Sequence, residues 1–121
     1  MWEAVEATQT LGCEMAKAGT AGREIHTAIV DLFVELGFST GPAENGKMQG
    51  FFHGTGHGLG LDVHEAPFFS HSKAPLTKGM VVTIEPGLYY PGLGGIRIED
   101  DVVVRATGSE NLVPLEKQFV L

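Results

Sequence analysis

Apolar residues recur at helical spacing through the first third of the chain and in short, strand-like bursts through the rest. Trp2, Val5, Leu11, Met15 and Ala18 make a rough apolar stripe among good helix formers, interrupted by Gly12, and predict a helix over 2–18. Gly19 is placed to stop it and Thr20 to cap the next. There Ile25, Ile29, Leu32, Phe33 and Leu36 share one face of a second helix that ends at Gly37. Residues 39–50 carry turn formers without periodicity and read as a loop. Beyond them, segments 51–53, 61–64, 80–85, 95–104 and 118–121 are separated by Gly and Pro, the punctuation of strands. Two helices followed by several short strands predict an α+β fold, with the N-terminal helices packed on one face of an antiparallel sheet.

At 121 residues the chain has room for a single domain over 1–121, and 43% hydrophobic residues exclude a disordered chain. Glycine numbers 17, about twice its ordinary share of ~7%, so the backbone must turn sharply or approach something closely at many points. Eight Lys and Arg against 15 Asp and Glu give a net charge of −7, which argues against nucleic acid and anionic membranes as partners. Apolar runs are far too short to span a bilayer, and Met1-Trp2-Glu3 opens without a basic leader. Cys13 is alone, so no intrachain disulfide forms; it is expected to be a small buried hydrophobe in a cytoplasmic protein.

Four of the five histidines, His53, His57, His64 and His71, fall close together, and only His26 lies on the second helix. In His53-Gly-Thr-Gly-His57-Gly-Leu-Gly60 the imidazoles project from a backbone with few other side chains, one able to pass close to a ligand or ion. A dinucleotide fingerprint fails because Leu59 stands where its third Gly belongs, and Pro67 opposes the helix it needs. The helical zinc-protease signature fails because Phe68 stands where the second His after His64-Glu65 is required. A cupin-type barrel around His53, His57 and Glu85 lacks the His-x-His spacing of that class.

Glu85 ends an apolar strand just before Pro86-Gly87, as a solvated strand end or as a group at the rim of a cleft. In the run 94–101, alternation puts Ile96 and Ile98 on one face and Arg97 and Glu99 on the other. Glu99, Asp100 and Asp101 repel one another unless they face solvent or are compensated by Arg97 and a cation. One imidazole with two carboxylates is a ligand set suited to first-row divalent metals.

Together, the run from His53 to Glu65, Thr83-Ile-Glu85-Pro-Gly and Gly95-Ile-Arg97-Ile-Glu99-Asp-Asp resemble the pita-bread metallopeptidases, in the Xaa-Pro aminopeptidase and prolidase branch. The resemblance covers essentially the whole chain but only the second half of that family's catalytic domain. It implies cleavage of peptide bonds next to proline by two divalent ions (Mn, Co or Zn). His57, Glu85 and Glu99 correspond to metal ligands, Glu85 also to a general base. His53 and His64 correspond to residues that bind substrate and move protons, with Arg97 and Tyr89 beside the same cleft. A proline pocket would draw on Phe51, Phe52, Phe68 or Phe69, any of which could instead be core.

The family's two Asp ligands have no counterpart here: the earlier acids are Glu3, Glu6, Glu14, Glu24, Asp31, Glu35 and Glu44, and Asp31 reads as a helix surface charge. Alone, the chain is therefore expected to hold one metal or none and to be inactive. It would complete the site as a homodimer or with a missing N-terminal half. The other reading is a non-catalytic metal-binding or protein-interaction module.

Overall fold

In the computed structural model, which describes residues 1–118, the helices are α1 (Trp2–Met15) and α2 (Gly22–Glu35). The inward stripe of α1 is Ala4, Val5, Thr8, Gln9 and Gly12, rotated slightly from the larger apolar side chains, so Leu11 and Met15 are only half-buried. Gly12 is the closest approach rather than an interruption. A Cβ there would lie 2.7 Å from an Ile84 methyl and 3.0 Å from Ile29 Cδ1. The second helix buries Ile25, Ile29 and Phe33 but leaves Leu36 exposed beyond its end. Its N-cap is Ala21 rather than Thr20, with no side-chain cap. Gly37, at φ +88°, takes the left-handed turn after the helix that other residues resist.

A two-residue ladder, β1 (Gly41–Pro42) with β2 (Met48–Gln49), lies within the expected loop. β3 (Val81–Ile84) follows, then the hairpin β4 (Gly87–Tyr90) with β5 (Gly94–Arg97), then β6 (Asp100–Val104) and β7 (Ser109–Asn111). The main sheet is antiparallel in the order β3-β6-β7, with Val82 opposite Val102 and Thr83 opposite Asp101. Val82, Ile84, Val102 and Val104 point to the helix side and are fully buried with Val5, Ile25, Ile29, Phe33 and Leu88. The expected α+β arrangement, helices on one face of antiparallel strands, is the observed one.

Several strand boundaries differ from expectation. Segments 51–53 and 61–64 are irregular, and 95–104 is two strands broken at Ile98 and Glu99. Of the segment 118–121, Gln118 is in no strand and 119–121 lie outside the described residues. The backbone at 55–59 nevertheless runs antiparallel beside β3, on the edge away from β6. Glu85 N–H donates to Thr55 O at 2.7 Å, Thr83 N–H to His57 O at 2.9 Å and Leu59 N–H to Val81 O at 3.2 Å. Glycine makes this approach feasible: a Cβ on Gly56 would fall 1.9 Å from Thr83 O, and one on Gly58 2.2 Å from Ala66 O. The glycines thus bring the backbone against its own chain, where the spacing alone suggested a ligand or ion.

Candidate metal and peptide site

Strand alternation carries Thr83 and Glu85 to the side of β3 away from the helices, and the 55–59 pairing brings His57 alongside them. Asp101, opposite Thr83 on β6, continues that side, and Glu99 precedes the strand. His57 and Glu85 meet: Nε2 of the imidazole is 3.3 Å from Oε1 of the carboxylate, and both side chains are only 12% exposed. The His57 ring is oriented by its other nitrogen, which lies 2.9 Å from Gly58 O. A carbonyl only accepts, so Nδ1 carries a proton, and Nε2 is the nitrogen that faces Glu85. An imidazole nitrogen and a carboxylate facing each other at this distance form an edge that a shared cation, a proton or a metal ion, satisfies.

Arg97 joins the second carboxylate to the first. Its Nε is 3.9 Å from Glu85 Oε2 and its Nη2 is 3.4 Å from Glu99 Oε2. Burial is the main cause that raises the Glu99 carboxyl above its ordinary range; the negative charge of Glu85 adds to it and Arg97 opposes it. The donor chemistry at the His57–Glu85 edge fits a divalent ion. Among the described residues, however, no three His, Cys, Asp or Glu side chains gather as a group that could hold one.

The other expected residues surround this edge. His64 is exposed, and its ring stands edge-on to His57 with centroids 4.7 Å apart. The loop carrying it is tied by Glu65, whose Oε1 accepts the Leu61 and Asp62 amides at 2.9 and 3.1 Å. His53 donates from Nδ1 to Gly54 O at 2.8 Å, and its Nε2 lies 3.0 Å from the Tyr89 hydroxyl. Tyr89 lies over Gly95, where a Cβ would come 2.4 Å from its ring. The four phenylalanines divide: Phe51 and Phe69 are core, whereas Phe52 and Phe68 are exposed. Phe52 packs against Tyr89 at 5.4 Å, and Phe68 stacks on His71. Asp31 is exposed on α2.

Two acids of the run 99–101 are compensated, by different cations: Glu99 by Arg97 and Asp100 by Lys117. Asp100 points inward, where Gln9 Nε2 donates to it at 2.6 Å and Lys117 Nζ sits at 2.8 Å. Burial alone would raise its carboxyl; hydrogen bonds from Lys117, Asn111 and Gln9 outweigh that and hold it below the ordinary range. Three residues near the site carried no sequence signal of their own: Thr83, Thr55 and His26, whose Nδ1 lies 2.9 Å from Thr55 Oγ1. The period-2 relation of Thr83 to Glu85 was the one available clue.

An imidazole aimed at a carboxylate, set on an antiparallel sheet backed by helices, is donor chemistry of the kind metal-dependent hydrolases use. Residues 1–106 match metallopeptidase family M24, and the chain belongs to that family. It is 36% identical over 121 residues to the Xaa-Pro dipeptidase of Pyrococcus horikoshii, covering 99% of this chain and 32% of that one. To Xaa-Pro aminopeptidase 1 of Streptomyces coelicolor it is 37% identical over 135 residues, covering 93% and 27%. The structure of the Xaa-Pro dipeptidase from Bacillus anthracis superposes with a TM-score of 0.85 at 39% identity, over 98% of this chain and 31% of that one. The fold is therefore that of part of the pita-bread Xaa-Pro peptidases, and the chain spans about a third or less of these relatives' length.

Proposed function

We propose that this chain is the C-terminal half of a Xaa-Pro peptidase catalytic domain, contributing His57, Glu85 and Glu99 to a dinuclear metal centre. The observation that carries this reading is the His57 Nε2 to Glu85 Oε1 contact of 3.3 Å, with Nδ1 already committed to Gly58 O. Manganese, cobalt and zinc all suit one imidazole and two carboxylates. When bound, such ions lower the pKa of a water and polarise the scissile carbonyl. Glu85 takes the proton from the attacking water and returns it to the leaving amine. His64, standing over His57, donates a hydrogen bond to the developing oxyanion. His53, held by Tyr89, orients the peptide, and Arg97 steadies Glu99 against the charge of Glu85. Phe52, beside Tyr89, offers an apolar wall for a proline ring.

Catalysis requires two further carboxylates, which we assign to an Asp-bearing half of the same domain. The exposed Leu59, Leu61 and Val63, on the loop that carries His64, are the surface that half would cover. A cytoplasmic location accords with the single cysteine, and no helix among the described residues is long and apolar enough to cross a membrane. The test is cleavage of a Xaa-Pro dipeptide with added Mn²⁺, by the chain alone and mixed with the Asp-bearing half of a related dipeptidase. Cleavage is expected in the mixture only, and His57→Ala or Glu99→Ala should abolish it. A chain that retains metal yet never supports cleavage would instead be a non-catalytic metal-binding or protein-interaction module.

A further inference from the structure

We propose that Thr83 is a positioning residue that sets the two ligands His57 and Glu85 against each other; this rests on the reading that those residues hold a metal. Its side chain lies where the 55–59 backbone meets β3, and the residue is 3% exposed. The hydroxyl accepts the His57 backbone N–H at 3.0 Å and lies 3.1 Å from Glu85 Oε1. An amide can only donate, so Oγ1 must accept from His57, and its single hydrogen is left for the carboxylate. The direction is thereby determined: His57 N–H to Thr83 Oγ1, then Thr83 O–H to Glu85 Oε1. Oε1 is also the oxygen that faces His57 Nε2.

One buried hydroxyl therefore fixes the backbone of one ligand and the carboxylate of the other. At this depth water is poorly placed to substitute for it. The neighbouring rungs, Thr83 N–H to His57 O and Glu85 N–H to Thr55 O, are backbone bonds that do not involve the hydroxyl. Loss of the hydroxyl should consequently disturb the ligand pair without dissolving the pairing around it. Groups that orient metal ligands in this way typically govern metal affinity by about 10–100-fold.

The test compares Thr83→Val, which keeps the β-branched shape but not the hydroxyl, with Thr83→Ser, which keeps the hydroxyl. Amide hydrogen exchange is followed by NMR on the metal-free 121-residue chain, and Mn²⁺ affinity is measured by calorimetry. In Thr83→Val the His57 amide should lose protection while the Thr83 and Glu85 amides keep theirs, and Mn²⁺ should bind about 10–100-fold more weakly. Thr83→Ser should behave as wild type in both measurements. Wild-type exchange at His57 or wild-type Mn²⁺ affinity in Thr83→Val overturns the proposal, as does a Ser variant as damaged as Val. If Thr83→Val loses all three protections, Thr83→Ala repeats the comparison, and protection lost only at the His57 amide with weakened Mn²⁺ binding is again the supporting result. A wild-type chain that takes up no Mn²⁺, alone or mixed with the Asp-bearing half of a related dipeptidase, defeats the metal reading and the positioning role with it. Exchange at His57 would still separate that failure from the absence of the hydroxyl clasp.

Discussion

Cys13 is half-buried on α1, with Gln9 Nε2 donating to its sulfur at 3.1 Å. Burial is the largest cause that pushes its thiol up to about 11; Asp100 adds to the effect, while Lys117 and the Gln9 hydrogen bond oppose it. Since the thiolate is the nucleophile, iodoacetamide at about pH 8 should label native Cys13 far more slowly than the urea-unfolded chain, as mass spectrometry would show. Equal rates would contradict the packing. His26 makes a prediction of the opposite kind. Burial, and secondarily the charge of His53, hold its imidazole below the ordinary value of 6.5. The unfolded chain then binds the proton more readily. This contribution to stability is fully present above about pH 6.5 and is lost as pH falls toward the folded-state value. His26→Gln should lose less melting temperature than wild type between about pH 7 and about pH 5. At this scale, the unusual chemistry of His53, His57, Glu85 and Glu99 was legible because clustered imidazoles and strand-end carboxylates are conspicuous. Thr83 was not, because a threonine in a strand is ordinary until its neighbours are known.

The 55–59 segment is the element on which the site depends, and it tolerates side chains unequally along its length. Gly54→Ala should be accepted, the nearest atom to its added Cβ being 3.7 Å away. Gly56→Ala should displace the backbone from Thr83 O and cost about 1–3 kcal/mol or more, measurable by urea unfolding. Equal stability of the two variants would contradict the pairing with β3. Removing Ile84, fully buried between β3 and Gly12 of α1, should cost about 2–5 kcal/mol as Ile84→Ala. The helices were legible because α2 repeats its apolar positions at a clean helical spacing. The 55–59 pairing was not, since a Gly-x-Gly run has no alternation to read. The break at Ile98 and Glu99 was hidden for a different reason. Burial alternates straight through it, with Ile98 buried and Arg97 and Glu99 exposed, although the hydrogen-bonded ladder stops.

For the whole molecule, the governing fact is that it spans about a third or less of the relatives it matches. Leu59, Leu61 and Val63 are exposed beside the site, as an interface awaiting a partner would be. Sedimentation should detect association with the Asp-bearing half, and Leu61→Asp with Val63→Asp should weaken it. A sample that self-associates instead points to a second copy on that surface. The account's central claim is that His57 and Glu85, with Glu99 joined through Arg97, are the chain's share of a metal centre. Anomalous diffraction from crystals soaked in manganese tests it most directly. A peak within bonding distance of His57 Nε2 and a Glu85 carboxylate oxygen is the predicted result. Anomalous density only elsewhere, or none at all, in crystals of the chain together with the Asp-bearing half would contradict it.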